Sequence, residues 1–427
     1  MGCDVWAIDV VTHWTSMRVA AVVWAEAPSS SMATLCQAAQ KPTGLLPVAN
    51  TAVLEHLMAK LDEARVRKAN VVVEGERAAT QIKTWCVERE EKKHVDVHVT
   101  TVKEGAGSAD AVRAAAADAK RASHVLIMPA ELLLDVPLAK VVAQHRRRGA
   151  LATIMLMPAQ EGNAPQVAVD QHERIAAVAQ GGDDLAKVPK KPARQCGRLR
   201  VCAEPRVVGL AVLSAEAVAM VCEDETIRCV FQDLLPKLCQ AQFVEQTLDH
   251  ADTNVSASQE GEAWDVDALG ATMAHNKRAM EARARPRKAV VAMEASGMCL
   301  RHPKIYAEAN REMADRAEDA VAADAKLGHR ATIGPGCVVG PGGRFGDRSS
   351  VKRSVLGSRV HVGQQCKIIQ SVLHDNVSVQ DGAHLQNCII ASGTVIPERT
   401  TLKDCLVGPG ANLVAGAEFR NETLIAG

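Results

Sequence analysis

One rhythm near the C-terminus constrains this chain more than any other feature. From residue 327 onward, one apolar residue recurs at Leu327, Ile333, Val339, Phe345, Val351, Leu356, Val362, Ile368, Leu373, Val379, Leu385, Ile390, Ile396, Leu402, Val407, Leu413, Phe419 and Leu424. All eighteen positions are apolar in a chain that is 47% apolar. Chance would give this about once in a million, before any choice of register. Most steps are six residues; five steps are five residues and end at 356, 373, 390, 407 and 424. Six plus six plus five closes one triangular coil of three short strands, with one corner a residue short. The segments SVLG, SVLH, CIIA and CLVG begin at Ser354, Ser371, Cys388 and Cys405, again 17 apart, so they stack on one face. The pattern predicts a left-handed parallel β-helix of hexapeptide repeats over 327–427, in which each coil covers its neighbour. Glycine follows the apolar residue at Gly328, Gly334, Gly340, Gly346, Gly357, Gly363 and Gly408. These glycines are expected to supply corner backbone angles that a Cβ would penalise. An antiparallel sandwich would instead show period two, with a turn every 8–12 residues or so.

A chain of 427 residues exceeds one ordinary core and suggests two or three domains. Upstream of the repeat the pattern alternates strand and helix. MRVAAVVW reads as a buried strand, and NVVV (70–73), VDVHV (95–99), HVLIM (124–128) and ALATIMLM (150–157) read as further strands. Between them run an amphipathic helix over 51–65, a helix through Trp85, a helix capped by Ser108, and one over 137–147 with Pro137 in its first turn. This βαβ order predicts a doubly wound, Rossmann-like parallel sheet over 1–243. In such folds ligands sit beyond the carboxyl ends of the strands. The loop there, AEAPSSSMATL (25–35), has no glycine, and Pro28 lacks an N–H. A phosphate cradle needs closely approached backbone N–H groups, so an ordinary surface loop is expected. The polar, aperiodic stretch 244–286 reads as a flexible linker or insert. A return strand, KAVVAM (288–293), and a helix around 304–316 fill 287–326.

Composition narrows the function. Lys plus Arg and Asp plus Glu are both 50, and aromatics are 2%, which argues against a nucleic-acid surface or base stacking. Thirteen cysteines with no C-x-x-C are expected to be free, mostly buried thiols in a reducing compartment. No apolar run reaches transmembrane length, and no signal peptide is evident. Met-Gly-Cys opens the chain, but Trp6 breaks the myristoylation pattern. A cytosolic protein is expected.

A doubly wound sheet followed by a hexapeptide β-helix resembles the nucleotidyltransferase superfamily of sugar-nucleotide pyrophosphorylases. That superfamily includes the gamma and epsilon subunits of eukaryotic translation initiation factor 2B. LLPVAN (45–50), GAGSADAVR (105–113), VLIMPAELLLDVPL (125–138), DLLPKLCQAQF (233–243), IYAEANREM (305–313) and VKRSVLGSRV (351–360) look specifically like the gamma subunit. Epsilon carries a further helical domain that performs exchange, and this sequence shows nothing like it. The resemblance is weakest at 1–17, 158–196 and 244–286.

The departures bear on chemistry. Active relatives open with a Gly-rich loop, where this chain has AEAPSSSM. Their catalytic Lys lies just before the Leu-Leu-Pro-Val segment; here Lys41-Pro42 is followed by Thr43-Gly44, so either Lys41 is displaced by two residues or the pair is replaced. Their Mg²⁺-binding Asp aligns with Glu131, one methylene longer, and octahedral Mg²⁺ tolerates little displacement. Nucleotidyl transfer depends on positioning and charge neutralisation. The resemblance therefore implies a non-catalytic subunit of the factor 2B complex that supports GDP/GTP exchange on initiation factor 2. An epsilon-like subunit and the other factor 2B subunits would be its partners. No residue is assigned a catalytic, cofactor-binding or metal-binding role, and no cofactor is expected. The alternative is a mannose-1-phosphate guanylyltransferase-like pyrophosphorylase. A hexapeptide acyltransferase would use an inter-coil His as base; His361, His374 and His384 are candidates, though scattered histidines on an exposed face are expected.

Overall fold

The computed structural model describes residues 19–89, 95–116, 122–157, 166–179, 196, 198–202, 206–242, 289–317 and 321–425. The linker expected at 244–286 and residues 1–17 lie outside them.

The first unit is an α/β sheet covered on both faces. In chain order its main elements are β1 (Val19–Ala25), α1 (Ser30–Ala39), α2 (Val53–Glu63), β2 (Lys68–Glu74), α3 (Glu76–Glu88), β3 (Asp96–Val102), α4 (Ser108–Ala114), β4 (His124–Pro129), α5 (Leu138–Arg147), β5 (Ala152–Met157), β6 (Arg206–Ser214), α6 (Ala215–Glu223), α7 (Leu235–Ala241), β7 (Val290–Glu294) and α8 (Pro303–Arg316). The strand order is β7-β5-β6-β4-β1-β2-β3. Alternate residues of β1 enter opposite cores. Ala20, Val22 and Trp24 meet α4, α6 and α7, while Ala21 and Val23 meet α2, α3 and α5. Burial on both faces explains why the inner strands β1, β4 and β5 are almost continuously apolar.

The parallel sheet expected from the sequence is in fact mixed. β6 runs antiparallel to both β4 and β5, whereas the other pairs are parallel. A strand apolar on both faces carries no sign of its direction. The cap expected at Ser108 also moves. Gly107 is the N-cap, and its N–H donates to Asp110 Oδ2 at 2.9 Å. The buried Ser108 hydroxyl instead accepts from the Val230 N–H at 2.9 Å. A Cβ on Gly107 would lie 2.1 Å from the Arg228 carbonyl oxygen, so close approach fixes glycine there. Pro137 likewise precedes its helix as N-cap, where its missing N–H costs nothing.

The second unit is a parallel β-helix with three faces. Seventeen of the eighteen rhythmic residues lie in its strands, Leu413 being the exception. The first face stacks Lys326–Leu327, Arg344–Phe345, His361–Val362, Ser378–Val379 and Val395–Ile396. The third stacks Val338–Val339, Val355–Leu356, Val372–Leu373, Ile389–Ile390, Leu406–Val407 and Thr423–Leu424. The second face lies between them. The second residue of each pair points inward to a common core, including Leu356, Ile368, Leu373, Ile390 and Ile396. Stacked partners are 17 apart from Val338↔Val355 onward. The opening coil is 18 on the first two faces, as in Lys326↔Arg344, because the short corner first occurs between 351 and 356.

The corner glycines serve a different purpose from the one expected. The left-handed corner angles fall on longer residues such as Arg330, Arg348, Gln365 and Arg399, with φ between 55° and 58°, and on other glycines such as Gly342, Gly382 and Gly393. Gly328, Gly340, Gly346, Gly357 and Gly363 lack positive φ; a Cβ on any of them would strike the next coil. At Gly357 it would sit 2.6 Å from Asp375 Oδ1 and 2.7 Å from the Asp375 nitrogen. The same carboxylate accepts the Ser358 N–H at 2.8 Å. Gly357→Ala is expected to cost about 1–3 kcal/mol in urea denaturation, because overpacked backbone must part. Gly393→Ala has only its positive φ of 72° and nothing within 4 Å, so any loss there comes from backbone strain alone.

The two units share a core. The outward residues of the third face, Val338, Val355, Val372, Ile389 and Leu406, are buried against Met32 and Leu35 of α1, Leu46 and Val48, and Ile305, Tyr306 and Ala309 of α8. Polar contacts seal it. The Tyr306 hydroxyl meets the Pro47 carbonyl oxygen at 2.5 Å and His374 Nε2 at 2.9 Å. Asn310 Oδ1 accepts the Ala49 N–H at 3.0 Å, and Asn50 Nδ2 donates to the Leu356 carbonyl at 2.7 Å.

All twelve cysteines among the described residues are free. No helix among those residues is long and apolar enough to cross a membrane.

Candidate functional site

The central strands β1 and β4 end beside one small cleft. Glu26, Ala27, Pro28, Ser29, Met32, Thr43, Glu131, Leu300 and Arg301 line it. Its walls follow from three chain turns. The chain leaves β1 at Ala25 and enters α1 through Ser29, whose hydroxyl accepts from the Met32 N–H. It leaves β4 at Pro129, and the Ala130 N–H bonds back to the Trp24 carbonyl at 2.8 Å. The third turn follows Gly297–Cys299, which pairs with Leu132–Leu134. The Leu300 N–H then donates to the Glu131 carbonyl at 2.9 Å, which delivers Arg301 to the rim.

The loop expected to be a poor phosphate cradle has its donors committed elsewhere. The Ala27 N–H donates to Glu74 Oε2 at 3.1 Å, and Glu74 also accepts the Gly105 N–H. Pro28 has no N–H. The Ser29 and Ser31 hydroxyls donate to the Arg301 carbonyl at 2.7 and 3.0 Å. What read as a surface loop is thus a short turn into a capped helix, bonded to a segment 270 residues away. The one loop amide next to Pro28 is thus already bonded to a carboxylate.

Glu131 is buried, with its side chain 8% exposed. Burial pushes its carboxyl above the usual carboxylate range, and the Arg301 guanidinium opposes that rise. Arg301 Nε lies 3.2 Å from Glu131 Oε1, and its Nη2 lies 3.7 Å from Glu26 Oε2. Sequence reasoning singled out Glu131 and missed Arg301. Lys41 is drawn away from the cleft: its Nζ is 3.9 Å from Asp375 of the β-helix.

The three histidines of the repeat separate. His361 and His384 are exposed on outer faces, as expected. His374 is instead buried at the junction with Tyr306. Burial, then the nearby Lys41 charge, pulls its pKa down to about 4. Its ring fills space against α8 because the stacked position holds Gly357, Ala391 and Gly408 in neighbouring coils.

An α/β sheet with its cleft beyond the central strands, docked on a hexapeptide β-helix, defines a nucleotidyltransferase-fold chain with a β-helix domain. Residues 35–177 match the family model for a nucleotidyl transferase, and residues 318–419 match that for the EIF2B subunit epsilon LbH domain, a left-handed β-helix. Together they support an EIF2B-like nucleotidyltransferase and hexapeptide family, without distinguishing a gamma-like from an epsilon-like chain. No curated protein matches the chain.

A nucleotidyltransferase of this fold would bring a divalent cation to the carboxylate at Glu131. The residues present do not fit that role. Mg²⁺ needs near-octahedral oxygen ligands at close range. Here a guanidinium lies against both Glu131 and Glu26.

Proposed function

We propose that this chain is a non-catalytic, gamma-like subunit of an initiation factor 2B-type complex in the cytosol, working beside an epsilon-like catalytic subunit to support GDP/GTP exchange on initiation factor 2. The reading divides the chain into a nucleotidyltransferase-like domain (1–243), a linker (244–286), a strand and helix (287–326) that return to that domain and complete its sheet through β7, and a β-helix (327–427). The cleft carries it: the Glu131 carboxylate is held by Arg301, the Ala27 N–H is bonded to Glu74, and Lys41 faces Asp375. The EIF2B-type match over 318–419 supports the choice of complex.

Partners then have the remaining β-helix faces to meet, since the chain's own α/β unit covers the third. On the first face and its corner, Lys326, Arg330, Arg344 and Arg348 are exposed and form no ion pair among the described residues. Lys326 stacks directly on Arg344, with strands about 4.8 Å apart. The test is co-expression with the epsilon-like subunit followed by native mass spectrometry. A stable joint assembly is expected. Failure to co-purify when both chains fold would sink the reading. The double reversal Arg344→Glu/Arg348→Glu is expected to leave stability within about 0.5 kcal/mol, as at other exposed sites. It should weaken co-assembly roughly tenfold through lost charge complementarity, measured by titrating one labelled subunit with the other. Pyrophosphate release from Mg²⁺, a nucleoside triphosphate and a hexose 1-phosphate, lost on Glu131→Gln, would instead establish the pyrophosphorylase alternative.

A further inference from the structure

We infer that the Arg301 guanidinium takes the place of a divalent cation in the cleft, serving as a built-in counter-ion that makes this site independent of metal. The inference bears on the same cleft as the proposed function, but it stands on the geometry of one side chain and is tested without any partner.

Three observations carry it. First, Arg301 contacts both acidic groups of the cleft, Glu131 at 3.2 Å and Glu26 at 3.7 Å. A cation bound between these carboxylates would lie within contact range of a fixed positive charge, a strongly repulsive arrangement in a partly buried site. Second, Arg301 is anchored by its backbone as well. Its carbonyl receives the hydroxyls of Ser29 and Ser31, and the residue before it donates its N–H to the Glu131 carbonyl. The guanidinium is therefore held at the cleft by bonds it does not itself make. Third, a buried carboxylate without a partner would be costly, and Arg301 is the cation that meets it at 3.2 Å. Arginine suits the task because its charge persists at any ordinary pH and its donors form a fixed fork.

The arrangement also has a structural consequence. Arg301 lies two residues before α8, which covers the third face of the β-helix. The counter-ion thus ties the loops after β1 and β4 to the helix that joins the two units. A metal ion could neutralise the same carboxylates, but it could not make that covalent connection.

The experiment titrates the full chain with Mn²⁺ and follows the free aqua ion by electron paramagnetic resonance, with circular dichroism melts reporting the fold. Wild type and Glu131→Gln are expected to bind Mn²⁺ equally, because Glu131 is not a metal ligand. Arg301→Gln is expected to gain one Mn²⁺ per chain, with affinity at least tenfold tighter than any wild-type binding. That gain should vanish in Arg301→Gln/Glu131→Gln. A wild-type Mn²⁺ site abolished by Glu131→Gln would overturn the inference. So would a folded Arg301→Gln variant that gains no site. Should Arg301→Gln fail to fold, the comparison of wild type with Glu131→Gln still decides. Loss of co-assembly with an epsilon-like subunit would leave all of these outcomes untouched, so the two readings fail separately.

Discussion

Val372→Asp is expected to destabilise the protein by about 3–5 kcal/mol and to part the β-helix from the α/β unit. Val372 is the outward residue of a third-face strand, yet it is buried among Leu35, Val48, Ile305 and Tyr306. A carboxylate there would be desolvated among apolar side chains, and buried charges carry penalties of this size. Val395→Asp is the matched control. Val395 is also the outward residue of its strand, but on the first face, where it is 53% exposed; about 0.5 kcal/mol or less is expected. Urea denaturation followed by circular dichroism compares the two. The inward ladder of Leu356, Leu373 and Ile390 is untouched by Val372→Asp, so the β-helix should outlast the docking, and the single transition should split into two. Equal effects at 372 and 395 would mean that the third face is not the internal joint described here.

That joint was visible in the sequence but only half read. Periodicity says which residues point inward, because every coil must fill the same core, and the 6-6-5 rhythm led directly to the stacked strands. It also shows that the segments at 354, 371, 388 and 405 share a face. Those segments carry two successive apolar residues, whereas the first and second faces put Lys, Arg, His, Ser or Thr outward at most positions. A second apolar residue in five successive coils marks a covered face. What covers it depends on α1 and α8, whose placement no local pattern specifies. His374 was misread for a related reason. A histidine whose stack-mates are glycine and alanine has room for a ring only if another element has left space for it, and here Tyr306 of α8 supplies the neighbour.

The cleft shows the same division. The missing glycines, Pro28 and Glu131 are local facts, and they pointed to altered phosphate and metal chemistry. Arg301 is 170 residues from Glu131 in the chain, and a lone arginine after an apolar pair carries no signal of its own. Only the pairing of Gly297–Cys299 with Leu132–Leu134 brings it to the carboxylate. The direction of β6 was equally hidden, since a strand buried on both faces looks the same read either way.

Buried histidines make acid the second large lever on stability. Burial holds His145 and His374 each at a pKa of about 4, with the neighbouring His124 adding to the effect at His145 and the Lys41 charge at His374. His145 Nδ1 lies 2.9 Å from Thr153 Oγ1 inside the α/β core, while His374 sits at the joint with Tyr306. An unfolded histidine titrates near 6.5. Above that pH both states are neutral at these positions, and the histidines contribute nothing to the pH dependence. Between 6.5 and about 4 the unfolded chain takes up protons that the fold refuses, so stability falls as pH falls. Below about 4 the folded histidines protonate too and this contribution levels off. At about 1.4 kcal/mol per pKa unit, the gap is worth on the order of 3 kcal/mol for each histidine by pH 4. Denaturant midpoints measured from pH 7.5 to 4 should therefore drop steeply below 6.5. His374→Gln keeps a polar group against the Tyr306 hydroxyl but cannot take up a proton. It should remove the His374 share of the histidine-dependent slope, leaving that of His145 and of the also lowered His124, while costing stability at neutral pH. A slope unchanged by that substitution would mean that the joint does not exclude the proton, and that His374 is solvated and free to titrate in the folded chain.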